Sequence, residues 1–356
     1  MKKRIYFSLL ILVVALSACK VEDIKKDEDL PSETVKIWVL SEGNSTQNNS
    51  SLAFYDLKSQ SKDADYFQTQ NNRGLGGTAN DIVVYGSKAY IVVNVSSQIE
   101  IVDIKTGKSV KQIPMFEGET AKQPRQIIAH KGKVYVTSFD DTVTRIDTVS
   151  LNIDGSLKVG LDPEGMAVVG DKMYVANSGG LEWANGMDKT ISVVDIANFK
   201  ELEKIEVNPN PVHIHADTQG DVYVVSNGIY GEQPAKFQKI DTKTKAVTDI
   251  NMTVNNFTIF ENKAYTISYD WATQKTSVQL YDCLTEKVLN ESFITDAKSP
   301  KIPYSIQIDP FNNDVYITDA IDYVVLGDVY CYDKTGKLKF QVKEVGVNPN
   351  NVIFID

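Results

Sequence analysis

The sequence predicts an all-β fold, a seven-bladed β-propeller of four-stranded blades, and three observations carry that expectation. A strand aromatic recurs seven times, as Trp38, Tyr90, Tyr135, Tyr174, Tyr223, Tyr265 and Tyr316, at spacings of 39 to 52 residues. An aspartate closing a later strand also recurs seven times, as Asp56, Asp103, Asp147, Asp195, Asp241, Asp282 and Asp333. Repeats of this length are those of propeller blades. Finally, Pro349-Asn350-Asn351-Val352-Ile353-Phe354-Ile355-Asp356 is the opening of a unit without its continuation, and Val35-Lys36-Ile37-Trp38-Val39-Leu40 is a continuation without its opening. A ring closed by pairing the two ends is expected, which leaves no free sheet edge at the closure.

Residues 1–18 read as a leader. Lys2, Lys3 and Arg4 precede an apolar run from Ile5 to Ala15, too short to span a bilayer. Leu16-Ser17-Ala18-Cys19 resembles the bacterial lipobox, which implies cleavage before Cys19 and lipidation of its thiol. Residues 19–34, with Lys20-Val21-Glu22-Asp23-Ile24-Lys25-Lys26-Asp27-Glu28-Asp29, hold too little apolar content to fold and read as a tether. Acidic residues behind the lipidated cysteine are similar to the surface-export signals of lipoproteins in Bacteroidetes-type bacteria. The formal charge of −10 becomes −13 once Lys2, Lys3 and Arg4 leave with the leader, a balance that opposes nucleic-acid binding. Cys283 and Cys331 are too few for a disulfide framework and are expected as buried free thiols in the third strands of neighbouring units.

The domain expected over residues 35–356 reads as strands A, B, C and D in each unit. Strand A opens at Asn80-Asp81-Ile82, Pro124-Arg125-Gln126, Pro163-Glu164-Gly165, Pro211-Val212-His213, Asn255-Asn256-Phe257, Pro303-Tyr304-Ser305 and Pro349-Asn350-Asn351. The B strands, such as Ala89-Tyr90-Ile91-Val92-Val93, are apolar throughout, as expected of strands covered on both faces. The A–B turns carry hairpin residues, as in Tyr85-Gly86-Ser87-Lys88. The seven aspartates sit at tight turns such as Asp103-Ile104-Lys105-Thr106-Gly107-Lys108, where a carboxylate accepts backbone N–H groups. A residue required once per blade is structural, not catalytic.

Tyr174-Val175-Ala176-Asn177 and Tyr135-Val136-Thr137-Ser138, each followed by an aspartate-terminated third strand and a proline-led opening, resemble the YVTN-type β-propeller repeats. The resemblance spans about residues 35–356 and implies the fold; for function it implies little, since such propellers include binding proteins, surface-layer proteins and some lyases.

In a propeller the A–B and C–D turns share one face, and the B–C and D–A loops share the other. The first set is short here. The second is long and irregular, at 41–51, 67–79, 114–123, 176–189, 226–235, 268–275 and 318–327. Variation confined to one face marks a binding face. Phe139, Trp183, Tyr230, Tyr269, Trp271 and Tyr323 fall in B–C loops, beside the polar residues Asn44, Arg73, Glu182, Asn185 and Asp270. Aromatic anchors among a few polar groups suit a sizeable, partly apolar ligand. The residues opening the A strands, Asn80, Arg125, Glu164, Asn256, Tyr304 and Asn350, are expected around the mouth of the central channel.

Enzyme signatures are sparse. His130 is expected on the opposite face, and His213 and His215 alternate along strand A as a pair expected in the core. No third metal ligand, no Gly-x-Ser-x-Gly, no His-Glu-x-x-His and no phosphate loop occurs in the sequence. Thr106-Gly107-Lys108 is faintly similar to quinoprotein propellers, but three tryptophans cannot supply a docking motif in every blade. A non-enzymatic protein without cofactor is expected. Behind such a leader, the propeller resembles the surface-exposed vitamin B12-binding lipoproteins that work beside a TonB-dependent transporter. That resemblance implies a lipid anchor in the outer membrane, exposure at the cell surface, and capture of cobalamin or another corrinoid as ligand. Two alternatives stand beside it. One is an adhesion or scaffold propeller binding protein or glycan; the other is a lyase, which would need a histidine on the loop face.

Overall fold

The computed structural model describes residues 33–184 and 186–356; the expected leader, Cys19, nearly all of the tether and Asn185 lie outside them. Seven four-stranded antiparallel sheets form the seven expected blades. Blade 1 orders its strands as Pro349–Ile355, Lys36–Ser41, Ser51–Asp56 and Lys62–Asp63. Blades 2 to 7 each run in chain order, opening with Ala79–Tyr85, Pro124–His130, Pro163–Val169, Pro211–Ala216, Asn256–Phe260 and Pro303–Ile308.

The apolar B strands form because each lies between two neighbouring sheets. In Lys88–Val93 every residue after Lys88 is buried. The buried side chains accordingly divide into seven clusters, one at each blade-to-blade interface. Tyr90, Val92 and Ile101 of blade 2 meet Ile127, Val134 and Ile146 of blade 3. The last cluster joins Tyr316, Val329 and Cys331 of blade 7 to Ile37, Val39 and Val352 of blade 1.

Blade 1 is assembled from both ends of the described chain, as expected. Strand Pro349–Ile355 pairs antiparallel with Lys36–Ser41, from Lys36 opposite Ile355 to Ser41 opposite Pro349. Its D strand is unexpectedly short, at two residues. The helix Tyr66–Asn71, capped by Asp65, packs against the exposed flank instead and buries Phe67 beside Leu52 and Leu75. Covering an edge with a helix protects strands that a full D strand would otherwise pair.

The recurrent aspartates do the turn work read from the sequence. Asp103 Oδ1 accepts Lys105 N at 3.1 Å and Thr106 N at 2.9 Å, and Asp241 Oδ1 accepts Lys243 N at 2.8 Å and Thr244 N at 2.9 Å. These donors hold both carboxyls below the usual carboxylate range, with the Thr106 hydroxyl the strongest influence on Asp103. Cys283 and Cys331 are buried free thiols, and burial pushes each up to about 12. Cys283 lies one residue past the C strand Lys275–Asp282, a small correction to its expected place within that strand.

Candidate functional site

The seven A strands wall a central channel that contains a cavity of about 430 Å³. Their pairing with strand B is interrupted near the loop-face end in six blades, as between Ala79 and Asp81, Pro124 and Ile127, and Pro303 and Ile306. A bulge inserts a residue and re-aims its side chain. Here the bulges turn the residues that open the A strands toward the cavity. In blade 4 the position after Glu164 is Gly165, where a Cβ would lie 2.6 Å from Val212 O of blade 5. Only glycine admits that approach.

The expected mouth residues are brought together in one hydrogen-bonded belt. Arg125 bridges blades 2, 3 and 4: its Nε donates to Glu164 Oε1 and Oε2 at 3.1 and 3.0 Å, and its NH1 to Asn80 Oδ1 at 3.0 Å. Asn80 Nδ2 reaches Glu42 Oε1 at 3.3 Å. Tyr304 of blade 7 donates its hydroxyl to Glu42 Oε2 at 2.8 Å, and Asn256 of blade 6 donates to Tyr304 O at 3.2 Å. Asn350, on the closing strand, donates to Ala79 O, Asn80 O and Glu42 Oε1 at 2.9, 2.8 and 3.3 Å. Glu42 was not among the residues singled out from the sequence, yet it is the hub of the belt. It is the first residue past strand B of blade 1, the place Phe139 holds in blade 3.

Burial dominates the electrostatics. It raises the carboxyls of Glu42 and Glu164, Arg125 drawing both back down. Burial opposes the charge of Arg125, but Glu164, with Glu42 and Tyr304 adding to it, more than compensates. Asp81, just inside the mouth, is pushed up to about 7 although it accepts Ile127 N, Ile82 N and Asn351 Nδ2. His213 and His215 line this cavity rather than the blade-to-blade core, which corrects their expected place. Burial pulls both imidazoles down to about 4, leaving them neutral at pH 7. His215 also meets Phe257 edge-on at 4.9 Å. His130, by contrast, ends an A strand at the opposite face. Among the described residues, no group of three His, Cys, Asp or Glu side chains is placed to hold a metal ion.

The six loop aromatics separate into three groups. Phe139 lies under Arg125, with the guanidinium carbon 4.6 Å from the ring centre. Tyr269, Trp271 and Tyr323 form a connected wall. Trp271 meets Tyr269 edge-on at 4.9 Å and stacks on Tyr323 at 6.1 Å, and Tyr323 meets Tyr304 of the belt at 5.9 Å. Segment 268–275 is not a loop: its strands run on through Tyr269 opposite Thr276 and Asp270 opposite Lys275, which lifts Trp271 above the ring at 66% exposure. Trp183 and Tyr230 stand in solvent, at 74% and 104% exposure.

Three of the polar loop residues prove structural. Arg73 is paired with the fully buried Glu100 at 2.8 Å, Asn44 accepts Thr46 N and Oγ1 within its own loop, and Asp270 accepts Ala272 N at 2.8 Å. Asn185 lies outside the described residues.

A family described as "Domain of unknown function (DUF5074)" matches residues 36–354, and the chain belongs to it. No curated protein matches the sequence. Among solved structures the fold is similar to a quinoprotein alcohol dehydrogenase-like protein from Bacteroides thetaiotaomicron, at 17% identity and a TM-score of 0.66, covering 90% of this chain and 78% of that one. Hydrazine synthase of Kuenenia stuttgartiensis matches at 16% identity and a TM-score of 0.60, covering 78% and 95%. Apo AztD of Citrobacter koseri matches at 13% identity and a TM-score of 0.57, covering 90% and 97%. At these identities the likeness is one of fold.

Proposed function

We propose that this member of the DUF5074 family is a binding protein, a lipid-anchored protein of the outer-membrane surface that captures a corrinoid such as cobalamin on its loop face and hands it to a TonB-dependent transporter. The observation that carries the binding face is the unbroken surface running from exposed Trp271 through Tyr323 and Tyr304 to the polar belt of Glu42, Asn80 and Arg125. An apolar wall ending in hydrogen-bonding groups suits a ligand that is apolar across its middle and polar at its edges. The cavity, at about 430 Å³, sits near the low end of the range for enclosed small-molecule sites. A corrinoid with its nucleotide tail would therefore lie across the face, with one edge entering the mouth.

Binding without turnover is the chemistry this arrangement favours. The imidazoles of His213 and His215 lack a hydrogen-bonded carboxylate among the described residues, so no oriented acid–base pair accompanies them. Calorimetry of the purified protein with cyanocobalamin tests the reading. Saturable heat is expected; its absence at millimolar ligand removes the corrinoid. A second reading, docking to a protein or glycan, draws on Trp183 and Tyr230, whose rings stand clear of the ring system described above. Binding of an outer-membrane extract without any corrinoid heat would favour it.

A further inference from the structure

The channel mouth holds an imbalance of charge and of hydrogen-bond partners. The acidic and basic side chains lining the cavity are the carboxyls of Glu42, Asp81 and Glu164 and the single guanidinium of Arg125, Asp81 being only partly ionised at pH 7 and the two imidazoles neutral. Arg125 is committed to Glu164, through Nε and through NH2 at 3.0 Å. Glu42 is left with neutral donors: the Tyr304 hydroxyl at 2.8 Å, and two amide nitrogens at 3.3 Å, beyond the usual N–H···O range. The three acceptors that take the Asn350 amide nitrogen fix its orientation, and its Oδ1 is buried with no donor. A carboxylate enclosed with no ion pair of its own, feeling only the more distant charge of Arg125, is costly, and so is a buried acceptor without a donor. The adjoining wall is Tyr304, Tyr323 and Trp271, and ring faces attract cations.

We propose that the mouth is a cation socket, taking a protonated amine or guanidinium group of the ligand between the Glu42 carboxylate and the Tyr304–Tyr323 wall. The inference rests on the loop face being the binding face. It fixes the charge of the group that enters the mouth, whatever ligand body lies across the face.

Butylguanidinium, with pentanamide and pentanoate as neutral and anionic counterparts, tests it on the purified full chain by calorimetry at pH 7.5. Butylguanidinium should bind at least tenfold more tightly than either counterpart. Glu42→Gln, near-isosteric, should weaken it at least fivefold, Tyr304→Phe should weaken it measurably, and the turn-face control Glu286→Gln should leave it unchanged. Equal binding of the three probes, preference for pentanoate, or affinity unmoved by both Glu42→Gln and Tyr304→Phe would overturn the socket. Cyanocobalamin titrated in parallel separates the two readings. Corrinoid heat without guanidinium selectivity overturns the socket alone, and no binding of any probe overturns the socket and the corrinoid together.

Discussion

The turn face and the loop face of the ring follow opposite rules. On the turn face one solution recurs: a strand-ending aspartate accepts two backbone N–H groups of the next turn, at Asp56, Asp147 and Asp282 as at Asp103 and Asp241. On the loop face the B–C connections range from three residues to twelve. Blade 3 joins strands B and C through three residues, blade 6 extends its strands into a hairpin carrying Trp271, and blade 4 spends twelve residues between Asn177 and Thr190. Repetition in this chain marks what the ring needs to close, and departure from repetition marks the face proposed for binding. The belt lies between the two regimes. Its residues occupy repeated positions, but the side chains differ among blades, from Asn80, Asn256 and Asn350 to Arg125, Glu164 and Tyr304.

The largest effect expected is at the closure. Removing Pro349–Asp356 strips blade 1 of its inner strand and frees one edge of Lys36–Ser41, which stays paired with Ser51–Asp56 on the other. The melting temperature should fall by more than about 10 °C, or cooperative melting should vanish. A truncated protein that melts like the full chain contradicts ring closure. Next comes Arg125→Met, which strands Glu164 in the channel without its partner. The expected loss is about 3–5 kcal/mol in urea unfolding, largely restored in Arg125→Met/Glu164→Gln. An additive double variant would mean that the pair is not coupled.

The channel should also shape the pH dependence. The two histidines bind protons in the unfolded chain from about pH 6.5 down but in the folded state only near pH 4, so they withdraw stability as pH falls through that window. Asp81 acts with the opposite sign. Its folded pKa of about 7 lies above its unfolded value, so its contribution is lost as pH rises from about 4 to 7. Two histidines outweigh one aspartate, so these three groups together lower wild-type stability between pH 7 and 4.5, whereas in His213→Gln/His215→Gln the Asp81 contribution remains alone and raises it as pH falls. A double variant that tracks the wild type would contradict the channel placement. The smallest effect belongs to the turn face: Asp103→Ala should lower melting by a few degrees and leave any ligand affinity unchanged.

The propeller was legible because a blade repeats what physics requires once per repeat, a buried B-strand aromatic and a turn aspartate, and both survive without an alignment. The mouth residues were legible for the same reason, as the openings of strand A. Glu42 escaped notice because it belongs to the split blade, where no complete unit supplies the frame; placing it by register beside Phe139 would have found it. His213 and His215 were assigned to the core because alternation shows that they share a side of strand A but not which side faces the channel. The helix Tyr66–Asn71 is too short to show a period, and Arg73 looked like a ligand group because its partner, Glu100, lies 27 residues away in another blade.

The central claim is that the loop face carries binding and the turn face does not, and one titration meets it most directly. Cyanocobalamin affinity is measured by calorimetry for the wild type, Trp183→Ala/Trp271→Ala and Asp103→Ala. A loss of at least tenfold in the tryptophan variant, with its melting unchanged and the aspartate variant binding as the wild type, is the predicted result. Affinity that survives removal of both tryptophans, or that falls with the turn-face aspartate, would contradict it.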